Sequence, residues 1–278
     1  MTELIRPLAA HCITFANEKG GTGKSTLAVH LLVSLQAQGY SVAGIDLDFR
    51  QRTLSRYIEN RQLHHPDLPS VDVLVPPLSE LESRTEAAEQ DQSTLRDSLD
   101  RLAQHHQVVI IDSPGSDSPR SRLAMSLANT LITPLNDSFV DLDLLGKVNP
   151  DSNKVDKLSF FSETIWQARQ LRALAKLPAL QWFVTRNRLT QLDARNKRRV
   201  NAALEALQKQ AACRYVSGLS ERVIYRELFP QGLTLVDLGQ TKNKPSPNAG
   251  SLPKLTTSHL AARQELRNFI ESLELPAL

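Results

Sequence analysis

The stretch Lys19-Gly20-Gly21-Thr22-Gly23-Lys24-Ser25-Thr26 decides the fold of this 278-residue chain. It follows a short apolar run at 12–17 and opens a segment, 24–38, whose leucines recur at helical spacing. Glycines here let backbone N–H groups turn inward around anionic oxygens, and a helix N-terminus adds partial positive charge. Lys24 is placed to reach the β- and γ-phosphates of a nucleotide, and the Ser25 hydroxyl to ligate Mg²⁺. The stretch therefore predicts a phosphate-binding loop between a strand and a helix.

Short apolar runs alternate with polar or helical stretches along the chain. These runs predict strands at 12–17, 40–46, 107–112, 129–133 and 180–186. Strands that alternate with helices indicate a parallel sheet covered on both faces. We therefore expect a doubly wound α/β fold with a mostly parallel sheet, built as a single domain over residues 1–278.

Two stretches break this alternation. Residues 79–100 carry seven acidic side chains against two arginines, which predicts a solvated helical face or a mobile insertion. Residues 239–254 are rich in Gly, Pro, Asn and Lys and predict an exposed loop before a final helix at 257–274.

Composition limits the compartment and the partners. The chain has two cysteines, too few for a disulfide framework or a four-thiolate metal site, and its net charge is +3. It contains no run of 18 apolar residues, and its first ten residues lack the apolar stretch of a signal peptide. The apolar stripe of the final helix lacks the Lys/Arg excess that an anionic membrane surface requires. We expect a cytoplasmic protein without a membrane partner.

Carboxylates follow two of the predicted strands. Asp46 and Asp48 end the second strand and Asp112 ends the third. Ligands of doubly wound sheets bind at the carboxyl ends of parallel strands, and Mg²⁺ prefers oxygen ligands. We expect Ser25, Asp48 and Asp112 to form the metal site, with Asp46 in the ion's outer shell.

The phosphate loop departs from the pattern G-x-x-x-x-G-K-[ST], because Glu18 occupies the place of the first glycine and Lys19 precedes the paired glycines. This arrangement resembles the deviant Walker A motif of the ParA/MinD superfamily of P-loop ATPases. The resemblance implies that the chain forms an ATP-dependent homodimer in which Lys19 reaches the partner's nucleotide. It also implies that Asp48 positions the attacking water, so Lys19 and Asp48 are our catalytic residues.

Further segments resemble the MipZ family of ATPases that position the division site. They are 46–53, 136–146, 186–199, 222–238 and 260–266. The resemblance implies nonspecific binding to DNA, binding to the chromosome-partition protein ParB and inhibition of FtsZ polymerisation, in a nucleoid-associated polar gradient. It also implies that Asn187 recognises the adenine edge. The residues expected to bind ATP are therefore Lys19, Gly20, Gly21, Thr22, Gly23, Lys24, Ser25, Thr26 and Asn187.

A basic segment at 193–211 reads as an amphipathic helix. At about 100° per residue its apolar stripe lies opposite Arg195, Arg198 and Arg199. Arginines on an exposed face can engage phosphates without reading bases, although such a face is often merely solvated. We expect these three residues to bind DNA, with Arg169, Arg172 and Lys176 on the preceding helix extending the patch.

Two other functions share the phosphate loop. A partition ATPase of the ParA type would move DNA cargo, and segments 136–146 and 222–238 argue against it. A metabolic P-loop enzyme resembling dethiobiotin synthetase would act on a small substrate, for which the sequence reveals no pocket.

Overall fold

The computed structural model describes residues 2–136, 139–149, 155–187, 194–238 and 256–276. The strands in these ranges are β1 (His11–Phe15), β2 (Val42–Asp46), β3 (Asp72–Leu74), β4 (Val108–Asp112), β5 (Thr130–Asn136), β6 (Gly146–Val148), β7 (Val155–Leu158), β8 (Gln181–Asn187) and β9 (Arg214–Ser217). The helices are α1 (Lys24–Ala37), α2 (Thr53–His64), α3 (Arg84–Ala103), α4 (Pro119–Leu127), α5 (Phe139–Leu142), α6 (Phe160–Leu174), α7 (Ala194–Ala211), α8 (Ile224–Leu228) and α9 (Thr257–Ser272). Short 3-10 turns lie at Thr2–Leu4 and Phe229–Gln231.

The main sheet has seven strands in the order β3-β2-β4-β1-β5-β8-β9, and every neighbouring pair is parallel. The chain therefore winds from β1 outward in both directions, with helices as the crossovers. This confirms the predicted doubly wound α/β fold. The five predicted strands and the helix after the phosphate loop are present with boundaries shifted by no more than three residues.

The central strands β1, β2, β4 and β5 are buried along almost their whole length, as expected for a parallel sheet covered on both faces. Along β1, Ile13 and Phe15 pack in a cluster with α1 and α9, whereas Cys12 packs in a second cluster with α3 and α4. A third cluster joins β5 and β8 to α6 and α7 through Trp182 and Leu207. The centre of the sheet is thus held rigidly where β1 meets the phosphate loop.

The acidic stretch is a helix packed on the sheet. Ser83 caps α3 by accepting a hydrogen bond from the Glu86 N–H, and Leu95 and Leu99 are fully buried. The Arg96 guanidinium donates to the Leu4 carbonyl at 2.9 Å and to others of the N-terminal segment, which it anchors. Of the two predicted alternatives the helical one is correct, and the mobile insertion is wrong.

An antiparallel hairpin of β6 and β7 lies outside the main sheet, and the sequence did not reveal it. Gly146 begins β6 so close to its neighbours that a Cβ there would lie 2.7 Å from the Lys157 carbonyl oxygen. The hairpin packs on α7, next to Leu207. Its apolar runs are shorter than those of the main sheet, so no periodicity marks them.

The final predicted helix is present as α9, capped by reciprocal hydrogen bonds between Thr256 and His259. The predicted exposed loop at 239–254 lies outside the described residues. Within the described ranges, no helix is long and apolar enough to cross a membrane.

Candidate nucleotide-binding site

The phosphate loop connects the carboxyl end of β1 to the first turn of α1. Gly21 and Gly23 have φ angles of +74° and +89°, a region that favours glycine, and they turn the backbone inward before α1 begins at Lys24. A Cβ on Gly23 would lie 2.0 Å from the Asn187 side chain. The loop conformation therefore requires glycine at position 23 both for its backbone angle and for the close approach of β8.

Lys24 points into the loop. Its side chain is buried, and Nζ donates to the Lys19 carbonyl oxygen at 3.1 Å. Burial lowers the pKa of Lys24, whereas the charges of Asp112 and Asp48 act in the opposite direction. A cation buried between two carboxylates and a ring of glycine N–H groups is arranged to receive an anion.

Lys19 points away from the loop. Its side chain is 52% exposed, and Nζ forms an ion pair with the buried carboxylate of Asp141 on α5. The Lys19 backbone N–H is held by the Asn17 side-chain oxygen at 2.6 Å, and Asn17 in turn donates to the Pro134 carbonyl of β5. Asn17 and Asp141 therefore fix the backbone and the side chain of Lys19. Sequence reasoning missed both, because only the fold brings β5 and α5 beside the loop.

Asp112 ends β4 beneath the loop. It is buried, and one carboxylate oxygen, Oδ1, has no hydrogen-bond partner among the described residues. Burial raises the pKa of Asp112 to about 7, opposed by a hydrogen bond from Ser25 and by the charge of Lys24. A buried, unpartnered carboxylate oxygen beside a serine hydroxyl is the donor chemistry that Mg²⁺ accepts. Ser25 and Asp112 thus fit the ion expected from the sequence.

Asp46 holds the segment after β2 in place. Its Oδ1 accepts from the Asp48 N–H at 3.0 Å, and its Oδ2 accepts from the Ser55 N–H and hydroxyl at 3.0 and 3.1 Å. Both oxygens of this fully buried side chain thus accept hydrogen bonds within the protein, and the expected outer-shell role at the ion stays a prediction. Asp46 fixes residues 47–53, which we call the switch segment.

Asp48 lies within the switch segment and faces the loop. Its Oδ1 accepts from the backbone N–H groups of Arg50 and Gln51 at 3.2 and 3.0 Å, which forms a tight turn before α2. The side chain lines a cavity of about 900 Å³ together with the phosphate loop and Ser113. The structure thus places Asp48 across the cavity from Lys24 and the loop glycines.

A smaller cavity of about 110 Å³ lies on the other side of the phosphate loop. It is lined by Gly23, Thr26, Asn187, the segment 219–222 and Tyr225 among others. The Asn187 amide donates to the Thr22 carbonyl oxygen at 2.9 Å, so β8 supports the loop from behind. Asn187 therefore touches both the loop and the cavity wall.

The sequence model of the MipZ family, described as ATPase MipZ, matches residues 11–277, which include every element of the site. The chain belongs to the MipZ family. The family lies within the ParA/MinD group of P-loop ATPases, as the all-parallel sheet and the two-lysine loop indicate.

Known proteins agree with this family and this fold. The chromosome partitioning protein ParA of Myxococcus xanthus is 29% identical over 157 residues, which span 49% of this chain and 56% of that relative. A variant of McdA from Cyanothece, solved with ATP, aligns with a TM-score of 0.60 at 18% identity over 98% of this chain and 99% of that one. A plasmid partition protein of Borrelia burgdorferi, solved with AMPPNP, aligns with a TM-score of 0.56 at 17% identity over 97% and 100% of the two chains.

The basic helix predicted from the periodicity of 193–211 is present as α7, but Arg195, Arg198 and Arg199 lie outside the residues whose side chains are described. Arg172 does not extend a surface patch. It is 2% exposed, and its guanidinium donates to the carbonyls of Ser126 and Pro178.

Arg169 contacts the C-terminal end of α7. Its guanidinium lies over the rings of Trp166 and Trp182 at 5.4 and 5.7 Å and donates to the carbonyls of Ala211 and Ala212 at the end of α7. It is thus a structural anchor for the helix that carries the predicted DNA contacts.

Proposed function

We propose that this MipZ-family chain is an ATP-driven dimerising switch that controls where the cell divides. In this proposal ATP and Mg²⁺ occupy the phosphate loop, two chains close around two nucleotides, and slow hydrolysis to ADP and phosphate releases them. The output is a change of binding partners, and no metabolic product is made.

The opposite directions of the two lysines in one loop carry this proposal. Lys24 is buried in its own loop and suits the phosphates of the nucleotide bound there. Lys19 is exposed and faces outward, so it suits the phosphates of a second chain that docks against the loop. Two anionic nucleotides that face each other need such compensating charge.

Hydrolysis in this site depends on positioning. Phosphoryl transfer to water needs an oriented nucleophile and neutralisation of charge on the phosphate oxygens more than covalent chemistry. Asp48, held by the turn at Arg50 and Gln51, is the group we propose to orient the water. Ser25, Asp48 and Asp112 would hold Mg²⁺, which would neutralise charge on the β- and γ-phosphates when bound.

The adenine of the nucleotide fits the small cavity behind the loop. Asn187 lines this cavity together with the segment 219–222. An amide can pair with the edge of an adenine through one donor and one acceptor. With its adenine at Asn187 and its phosphates at Lys19 to Thr26, the proposed nucleotide would lie across α1.

The family resemblance supplies the proposed partners: ParB, nonspecific DNA and FtsZ. Arg195, Arg198 and Arg199 would contact DNA phosphates, so the dimer would be retained on the nucleoid of the cytoplasm. ParB clusters would recruit and release it there, and inhibition of FtsZ polymerisation would then be weakest far from those clusters.

Light scattering of FtsZ polymerisation tests the output directly. We expect ATP-bound protein to reduce the signal and Lys24→Ala protein to leave it unchanged, since that variant lacks the charge that holds the phosphates. Inhibition by the Lys24→Ala protein equal to that of the wild type would contradict the switch.

A second candidate is a partition ATPase of the ParA type, favoured by the likeness to the Myxococcus xanthus protein. Such a protein would bind ATP, DNA and ParB equally but would move DNA cargo and leave FtsZ polymers intact. The same scattering experiment separates the two functions.

A further inference from the structure

The 900 Å³ cavity continues beyond the phosphate loop into a groove between the switch segment and α3. Phe49 lines the groove on the switch side, Leu78 and Ala87 line it at α3, and Arg120 closes it at the start of α4. The triphosphate is expected against the loop glycines and α1, so this outer part of the cavity is free for another ligand.

Three arginines line the groove, and none of them forms an ion pair within the described part of the chain. They are Arg50, Arg84 and Arg120. Arg120 is only 5% exposed; its terminal nitrogens donate to the Pro76 and Pro77 carbonyls, and its buried Nε has no partner there. The charge of Asp91 acts on Arg120 and offsets part of the cost of burying it, so the unsatisfied donor there is Nε alone.

Carboxylates on the same walls do not cancel this charge. Asp91 lines the groove from α3, but its Oδ1 accepts the Ser79 N–H at 2.7 Å. The Asp48 carboxylate accepts hydrogen bonds from the backbone of Arg50 and Gln51 in the switch segment. The cavity is nevertheless lined by four cationic side chains, Lys24, Arg50, Arg84 and Arg120, against two carboxylates, so its lining is net cationic.

Large apolar side chains form the rim of the groove and are exposed. Phe49 is 49%, Leu78 38% and Leu81 50% exposed. Leu78 also lines an adjoining cavity of about 330 Å³ together with Leu81, Glu80 and Gln90, so the rim continues along the segment before α3 and includes one acidic side chain. A small carboxylate would leave this rim in water, whereas a peptide could cover it.

We infer that this groove is a docking site for a segment of a partner protein that carries carboxylates and apolar side chains together. The carboxylates would pair with the exposed Arg50 and Arg84, and the apolar side chains would cover Phe49 and Leu78. Because Phe49 directly follows Asp48, the occupant would touch the segment that positions the attacking water. Only this last link, from docking to hydrolysis, rests on the proposed function.

Fluorescence anisotropy with two labelled twelve-residue peptides tests the site in the full chain. Both peptides carry Leu and Phe at the same positions, and one has Glu where the other has Lys. We expect the Glu peptide to bind saturably and at least about tenfold more tightly than the Lys peptide, because charge complementarity distinguishes them. Equal affinity, or no saturable binding of the Glu peptide, would overturn the inference.

Charge reversal on α3 locates the site. Arg84→Glu should weaken the Glu peptide about tenfold or more, whereas Arg101→Glu, an exposed arginine at the other end of α3, should not. Both arginines are exposed, so neither variant removes packing. Equal effects of the two variants would place the peptide elsewhere.

Binding of a fluorescent ATP analogue, measured in the same samples, separates this inference from the ATPase proposal. Peptide binding without analogue binding would overturn the proposed function and leave the docking site standing. Analogue binding without peptide binding would overturn the docking site and leave the proposed function standing. If both bind, the Glu peptide should change the rate of phosphate release from wild-type protein, and an unchanged rate would overturn the link to hydrolysis.

Discussion

Lys19 of the phosphate loop is paired with Asp141 of α5 within the same chain, and the partners differ greatly in exposure. The Lys19 side chain is 52% exposed and that of Asp141 is 3% exposed. Lys19, which we propose to contact the partner's nucleotide, is thus already held by an ion pair within its own chain. In the proposed ATP-bound dimer, Lys19 would exchange this ion pair for contacts with phosphate.

Removing the charge of Asp141 should therefore favour the dimer. Asp141→Asn keeps the shape of the side chain and frees Lys19 from the ion pair. Since Lys19 is half exposed and screened by solvent, we expect a shift of about two- to fivefold in the protein concentration at which the ATP-bound dimer forms. Sedimentation velocity with ATP measures it. Asp143→Asn, an exposed neighbour, is the control, and an equal response of both variants would contradict the account.

Lys24→Ala should abolish ATP binding. The substitution removes the buried cation near Asp112 and Asp48, and with it the side-chain charge that offsets the β- and γ-phosphates. Isothermal titration calorimetry with ATP and Mg²⁺ measures this, with circular dichroism to verify the fold. Normal affinity would refute the assignment of the phosphate loop.

The triple variant Arg195→Ala, Arg198→Ala and Arg199→Ala should bind DNA more weakly while its ATP-driven dimer persists. Each lost phosphate contact should lower the dependence of log K on log[salt] by about one unit. Filter binding at several salt concentrations measures the slope. Arg101→Ala serves as a control for loss of charge, and an unchanged slope in the triple variant would make the arginines an ordinary solvated face.

His30 should give the protein an acid-sensitive stability. It is fully buried on α1, with Nδ1 2.8 Å from the Thr26 carbonyl oxygen and its ring edge-on to Tyr225. Burial lowers the pKa of His30 to about 4. Between about pH 6.5 and pH 4 the unfolded chain binds a proton that the folded chain does not, so stability falls with falling pH by up to about 1.4 kcal/mol per unit.

His30→Phe should flatten this part of the stability profile, because phenylalanine keeps the ring packing and cannot be protonated. Urea unfolding at pH 5 and pH 7.5 measures the difference for each protein. His105→Gln, at an exposed histidine, should leave the difference as in the wild type. A wild-type-like slope in His30→Phe would show that other groups cause it.

The sequence predicts the centre of this molecule better than its periphery. The strands around β1 are continuous apolar runs and the loop glycines mark a strand-to-helix turn, so sheet, loop and α1 could all be inferred. Asn17 and Asp141 could not, because their roles depend on β5 and α5 approaching the loop. The support that Asp46 gives to the switch segment could not be predicted for a related reason: it depends on the approach of Ser55 on α2.

Light-scattering mass after size exclusion in ATP and Mg²⁺ tests the central claim most directly, applied to Lys19→Ala and Asp48→Ala. Lys19→Ala should bind ATP through Lys24 yet elute at the 31.0 kDa mass of one chain, because two nucleotides would face each other without compensating charge. Asp48→Ala should elute at twice that mass and release no phosphate, since dimerisation does not need the oriented water. A Lys19→Ala protein at twice the mass of one chain would contradict the account.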